Sequence, residues 1–174
     1  WMGAMDWSKR DPQAMLAWMN EKQGRDYARA LDRYQYLLID GWAQKDPLQA
    51  LAYAKVLPQD SPQQRRVREN ALRVVARSLA VSADVKSALA IYNETADPAA
   101  RREVLLGLVD GWSSWAPHDA IPWINALPQS LRQDALSTAF FNWGEKEPEA
   151  AAKWAMQLGL DDPAREPLLQ LAAP

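Results

Sequence analysis

Apolar residues recur every three or four positions along most of this chain. From Arg65 to Val81, the apolar Val67, Ala71, Val74, Val75 and Leu79 form one stripe, and Arg66, Glu69, Asn70, Arg73 and Arg77 take the other side. That is the pattern of an amphipathic helix with one face turned to a core. Similar stripes run through Arg25 to Trp42, Pro98 to Trp112 and Leu131 to Trp143. Alternating β-branched runs joined by tight-turn dipeptides are absent. Both Asp-Gly pairs, in Leu38-Ile39-Asp40-Gly41-Trp42 and Leu108-Val109-Asp110-Gly111-Trp112, sit inside helical patterns and echo one another.

Between these long helices lies a second, shorter kind, marked by proline. Trp7, Trp42, Trp112 and Trp143 each stand five residues before a proline, namely Pro12, Pro47, Pro117 and Pro148. Three residues past each proline comes Met15, Ala50, Ala120 or Ala151, and three further on Trp18, Tyr53, Trp123 or Trp154. The frame reads W-x3-[DEA]-P-x2-[AM]-x2-[WY]. Proline suits the first helical position and aspartate the cap before it, so Asp11-Pro12 and Asp46-Pro47 are expected to start helices. The small residue and the aromatic lie three apart on one face, which is expected to be core. Leu57-Pro58, Leu127-Pro128, Gly24 and Gly159 are expected to end these helices after about 11 residues. A degraded copy fits the remaining gap, with Ala80 in the tryptophan place, Asp84-Val85 for Asp-Pro, then Ala88 and Ile91. Pro122 is expected to kink its helix or delay its start.

These units predict an all-α chain, an αα-hairpin repeat solenoid of about four to five repeats with 31 to 38 residues each. Trp1 to Asp6 read as the tail of one second helix, and Asp162-Pro163 as the start of another that soon meets Pro167 and Pro174. Residues 1–174 are therefore expected to be a single α-solenoid domain, a segment of a longer array.

Composition narrows the chemistry. Hydrophobic residues make up 48% and charged residues 24%, enough to fold around a core. A net charge of -2 supplies no global field for DNA, RNA or anionic lipid, so no nucleic-acid partner is expected. With no cysteine and one histidine, thiolate chemistry, disulfides and His-rich metal sites fall away. No run reaches the roughly 18 to 20 apolar residues of a membrane span, and the N-terminus lacks a signal-peptide layout. A soluble chain without membrane insertion is expected, in cytoplasm or periplasm alike.

Few residues are candidates for chemistry. His118, after Pro117, reads as a solvent-facing helix-start residue. Glu145, Glu147, Glu149, Asp161 and Asp162 flank helix starts, where the backbone dipole favours negative charge. Ser113 and Ser114 carry no nucleophile motif, and no glycine-rich phosphate loop occurs. No enzyme activity and no cofactor are expected. Arg66, Arg73 and Arg77 form a basic stripe that could grip an acidic peptide or a phosphate, or be an ordinary solvated face interrupted by Glu69. The frame tryptophans read as helix-packing residues. Trp1 and Trp115 stand outside the frame, and an exposed Trp115 beside another ring would suit a partner protein or a sugar.

The frame is similar in general form to the tandem helical-hairpin repeats of bacterial proteins, of tetratricopeptide, Sel1-like and HEAT-like kind. Ala50-x2-Tyr53, Ala120-x2-Trp123 and Ala151-x2-Trp154 resemble the first-helix pattern of Sel1-like units, although the Leu-Gly-x2-Tyr element is absent. The resemblance implies a non-enzymatic scaffold that binds a protein or peptide in a groove lined by the first helices, with right-handed stacking. Arg66, Arg73, Arg77 and Trp115 are the candidate partner-binding residues. Two other expectations stand beside it: glycan binding, as in a non-catalytic helical domain of a bacterial envelope enzyme, and a passive spacer.

Overall fold

The computed structural model describes residues 2–21 and 25–171, with the side chains of Met2, Met5 and 25–33 excepted. Over these residues the chain is all-α. The elements are α1 (Met2–Arg10), α2 (Pro12–Glu21), α3 (Arg25–Lys45), α4 (Pro47–Val56), α5 (Pro62–Val81), α6 (Val85–Glu94), α7 (Pro98–Ser113), α8 (Pro117–Asn125), α9 (Gln129–Lys146), α10 (Pro148–Gln157) and α11 (Arg165–Leu171). Trp1, Gly24 and Pro174 lie outside the described residues. None of the described helices is long and apolar enough to cross a membrane.

The tryptophan–proline frame is a chain of hydrogen bonds. One residue, four past the tryptophan, belongs to both helices. Its N–H closes the last turn of the long helix on the tryptophan carbonyl: Asp11 on Trp7 (2.9 Å), Asp46 on Trp42 (2.7 Å), Ala116 on Trp112 (3.0 Å) and Glu147 on Trp143 (2.8 Å). Its own carbonyl opens the next helix by accepting from Met15, Ala50, Ala120 or Ala151. The proline between forbids the α conformation to the residue before it. Asp46, Ala116 and Glu147 accordingly share one non-helical geometry, with φ of -147°, -135° and -137° and ψ of 85°, 63° and 65°. Two helices thus meet at a one-residue corner. Aspartate adds a side-chain cap there, Asp11 to the Ala14 N–H and Asp46 to the Gln49 N–H.

The degraded copy departs from its expected register. Asp84 donates to Leu79 at 2.9 Å, and Ala83 to Ala80. Leu79, rather than Ala80, therefore holds the tryptophan place, and one extra residue is absorbed by Ala83 at φ 64°. This is the six-to-one and five-to-two bonding of a helix ended by a left-handed residue. Asp84 still caps α6 through the Ser87 N–H, and Ala88 and Ile91 are buried. Pro122 gives a second departure. α8 starts at Pro117 with no delay and carries Pro122 on its exposed side.

The core follows the frame. Met15, Ala50, Ala88, Ala120 and Ala151 are fully buried. Within each intact copy the two aromatics meet: Trp7 and Trp18 at 5.6 Å, Trp42 and Tyr53 at 5.5 Å, Trp112 and Trp123 at 6.0 Å, Trp143 and Trp154 at 6.1 Å between centroids. Each ring pair clamps a long helix to the short one after it. Trp42 and Trp143 are buried, and the other rings are half-buried against the core.

The long helices pack on one another in chain order, α1 on α3, α3 on α5, α5 on α7, α7 on α9, with α9 also against α11. Each short helix packs on the long helices flanking it, and successive short helices meet through side chains alone, Gln13 on Gln49 at 3.3 Å, Lys55 on Glu94 at 3.4 Å and Tyr92 on Trp123 at 5.8 Å between centroids. One contact recurs at each crossing of α1 to α9. The residue before the frame position meets the residue after it on the preceding long helix: Gly41 on Ser8, Ser78 on Ala43, Gly111 on Ala80, Asn142 on Ser113. Where that residue is glycine the backbones close in, since a Cβ on Gly111 would lie 2.6 Å from the Arg77 carbonyl oxygen. Where it is Ser78 or Asn142, the side chain donates instead, at 2.7 Å to the Ala43 carbonyl and at 3.0 Å to the Ser113 hydroxyl. α5 and α7 approach again at Gly107, where a Cβ would lie 2.2 Å from the Arg73 carbonyl.

Candidate partner-binding groove

An open groove of about 640 Å³ runs over the long helices α3, α5 and α7. α3 contributes Tyr36, Asp40, Ala43 and Gln44, and α5 contributes Asn70, Arg73, Val74, Arg77, Ser78 and Val81. Asp110 of α7 closes the far side. A partner groove was expected on the short first helices; this one is lined by the long second helices, which pack closely on one another from copy to copy.

Two of the three stripe arginines lie in it, and neither is a free cation. Arg73 donates to Glu103 at 3.2 Å, and Arg77 through Nε to Asp110 at 2.5 Å, both acceptors on α7. Asp110 is itself held by the Asn142 amide at 3.1 Å. Arg66, two turns before Arg73, is exposed and lies outside the groove. The stripe is thus divided: its lower part is bound to the next helix and its upper part faces solvent.

Trp115 is elsewhere. Its ring is 46% exposed, it stacks on no other ring among the described residues, and its Nε1–H donates to the Ala80 carbonyl at 2.7 Å. Trp115 stands outside the specified positions of the frame, yet its place has counterparts in other copies. It sits three past Trp112, where Lys45 and Lys146 stand in their own copies, and those lysines likewise donate to the end of the preceding long helix, at the Arg10 and Ser114 carbonyls. Last-turn carbonyls have no helical donor, so a side-chain N–H there satisfies them.

Of the acidic residues near helix starts, Asp162 and Glu147 take side-chain partners. Arg132 grips Asp162 with two N–H groups at 3.0 and 2.8 Å and sends its Nε to Asn125. The hydrogen bonds from Arg132 hold the Asp162 carboxyl below the usual carboxylate range, against the opposing effect of burial. Arg102 is held more firmly protonated by its hydrogen bond to Asp134. Burial raises the Tyr53 hydroxyl, which accepts from Gln35. His118 packs edge-on against Trp143 and lies 3.4 Å from Glu147 across a corner. Ser113 is buried and donates to the Val109 carbonyl, so it presents no nucleophile.

The sequence reasoning missed Tyr36, Asp40, Gln44, Asn70 and Val81 as groove residues. The missed signal is positional. Six before the frame residue stand Tyr36, Arg73, Leu106 and Ser137, and two before it Asp40, Arg77, Asp110 and Phe141. On a helix these rows share one face.

Comparison with protein-family models, with curated proteins and with solved structures gives no match.

Proposed function

We propose that this chain is a segment of an αα-hairpin solenoid, of the helical-repeat kind its frame resembles, and that it works as a non-enzymatic scaffold for an extended polypeptide. The observation that carries the reading is the groove over α3, α5 and α7, floored by unlike side chains on an otherwise repeated framework. The long helices pack closely on one another from copy to copy, whereas the short ones meet only through side chains, so the array curves toward the long-helix side and the groove lies on the concave face. Asn70 supports a peptide occupant. Its carboxamide has no hydrogen-bond partner among the described residues, and one carboxamide complements the N–H and C=O of a peptide unit. A glycan platform has less support, since Trp115 has no companion ring and its N–H is already used. The passive-spacer reading leaves the varied groove side chains without a role.

The test is selection of random dodecapeptides against the 174-residue chain, followed by amide NMR mapping of the selected binders. The scaffold reading expects shifts centred on residues 36–44 and 70–81. Failure to select any binder, or binders that map to the short helices, would overturn it.

A further inference from the structure

The groove charge without an ion-pair partner among the described residues is a negative one. Of its four charged residues, Arg73 and Arg77 look like a site for an acidic ligand when α5 is considered alone. In the fold each has a carboxylate from α7, Glu103 and Asp110, and each pair is neutral as a unit. That leaves Asp40. Among the described residues it forms no ion pair, and its one side-chain partner there is the neutral Gln44 amide, which donates to Oδ2 at 2.9 Å. Its second oxygen has no donor among the described residues. One helical turn before it on the same face stands Tyr36, its side chain 51% exposed at the rim of the groove.

We infer that Asp40 and Tyr36 form a seat for a basic side chain, lysine or arginine, of the extended polypeptide that occupies the groove. This rests on the scaffold reading above and gives the occupant a charge. The carboxylate supplies a charge-assisted acceptor, and the tyrosine ring supplies an aromatic face for the stem or the cation. Arg73 and Arg77, on α5, are held toward α7 by Glu103 and Asp110. Adjacent packed helices lie about 8–10 Å apart, and an extended chain advances about 3.3 Å per residue. Successive long helices therefore meet about every third ligand residue. A ligand crossing from α3 to α5 sets its basic residue on Asp40, its main chain by Asn70, and a neighbouring apolar residue on Val74 and Val81.

The probe is a set of random dodecapeptide libraries, each with the central residue fixed as Lys, Arg, Ser, Glu or Asp, passed over the immobilised 174-residue chain in 0.1 M salt. The Lys and Arg libraries are expected to be retained about fivefold over the Ser library, the size of a half-exposed ion pair, with the Glu and Asp libraries below it. Asp40→Asn should abolish the preference, while Arg66→Glu, outside the groove, should leave it in place. Equal retention of all five libraries, or an acidic preference, would overturn the basic seat and leave the scaffold reading intact. A basic preference that survives Asp40→Asn would also overturn it. No retention of any library would overturn both.

Discussion

The indole N–H of Trp115 donates to the Ala80 carbonyl at 2.7 Å, thirty-five residues away, and so does for α7 and α5 what Lys45 does for α3 and α1. A half-exposed tryptophan is thereby a lateral tie between long helices. Trp115→Phe keeps most of the ring and removes the donor, and is expected to cost about 1 kcal/mol. Trp115→Lys, restoring the donor found in the other copies, should recover part of that. Urea denaturation of the three proteins checks it. Equal stability of wild type and the Phe variant would show that the bond contributes nothing.

Two glycines should respond to alanine in opposite directions. A Cβ on Gly107 would meet the Arg73 carbonyl at 2.2 Å, and backbone on a packed helix can yield only by moving α5 and α7 apart. Gly107→Ala is expected to destabilise by about 1–3 kcal/mol. Gly144, inside α9, has nothing within 4 Å of its would-be Cβ, so Gly144→Ala should stabilise by about 0.5–1 kcal/mol through the unfolded chain. The two thermal or urea midpoints, moving apart from wild type, are the check.

Asp162 links stability to pH. Its carboxyl is depressed in the folded state by Arg132, so the unfolded chain takes up the proton first as pH falls. Its contribution is fully present above the ordinary aspartate value, about 4. It fades as pH drops through that value toward the lower folded one. Asp162→Asn should cost about 1.5–3 kcal/mol at pH 7. The difference from wild type should shrink on acidification below pH 4. A difference that stays constant from pH 7 to pH 3 would contradict the assignment.

Much of the fold was legible because its signals are covalent spacings. The distance from tryptophan to proline is set by one closing turn, one corner residue and the proline that forces the corner, so Trp42 to Pro47 and Trp143 to Pro148 announce it without any tertiary information. The copy at Leu79 was misplaced by one because Ala83 adopts a left-handed geometry that its residue type does not advertise. The groove was harder to read. Its walls lie on outward rows where the copies differ, Tyr36 against Arg73 against Leu106, so the repetition that marks the core is absent there. The pairing of Arg73 and Arg77 was hidden for a related reason. Its partners Glu103 and Asp110 lie about thirty residues on, and their nearness follows from which helices pack together.

Everything about the groove depends on the long helices packing directly on one another, with the residue before each frame position set against the residue after the previous one. The most direct test is a nuclear Overhauser measurement on alanine-methyl-labelled protein. Gly111 approaches so closely that its would-be Cβ lies 2.7 Å from the Ala80 Cβ. A strong cross-peak between the Ala80 methyl and the Gly111 α-protons is the predicted result. Its absence, with both resonances assigned, would contradict the packing and the groove with it.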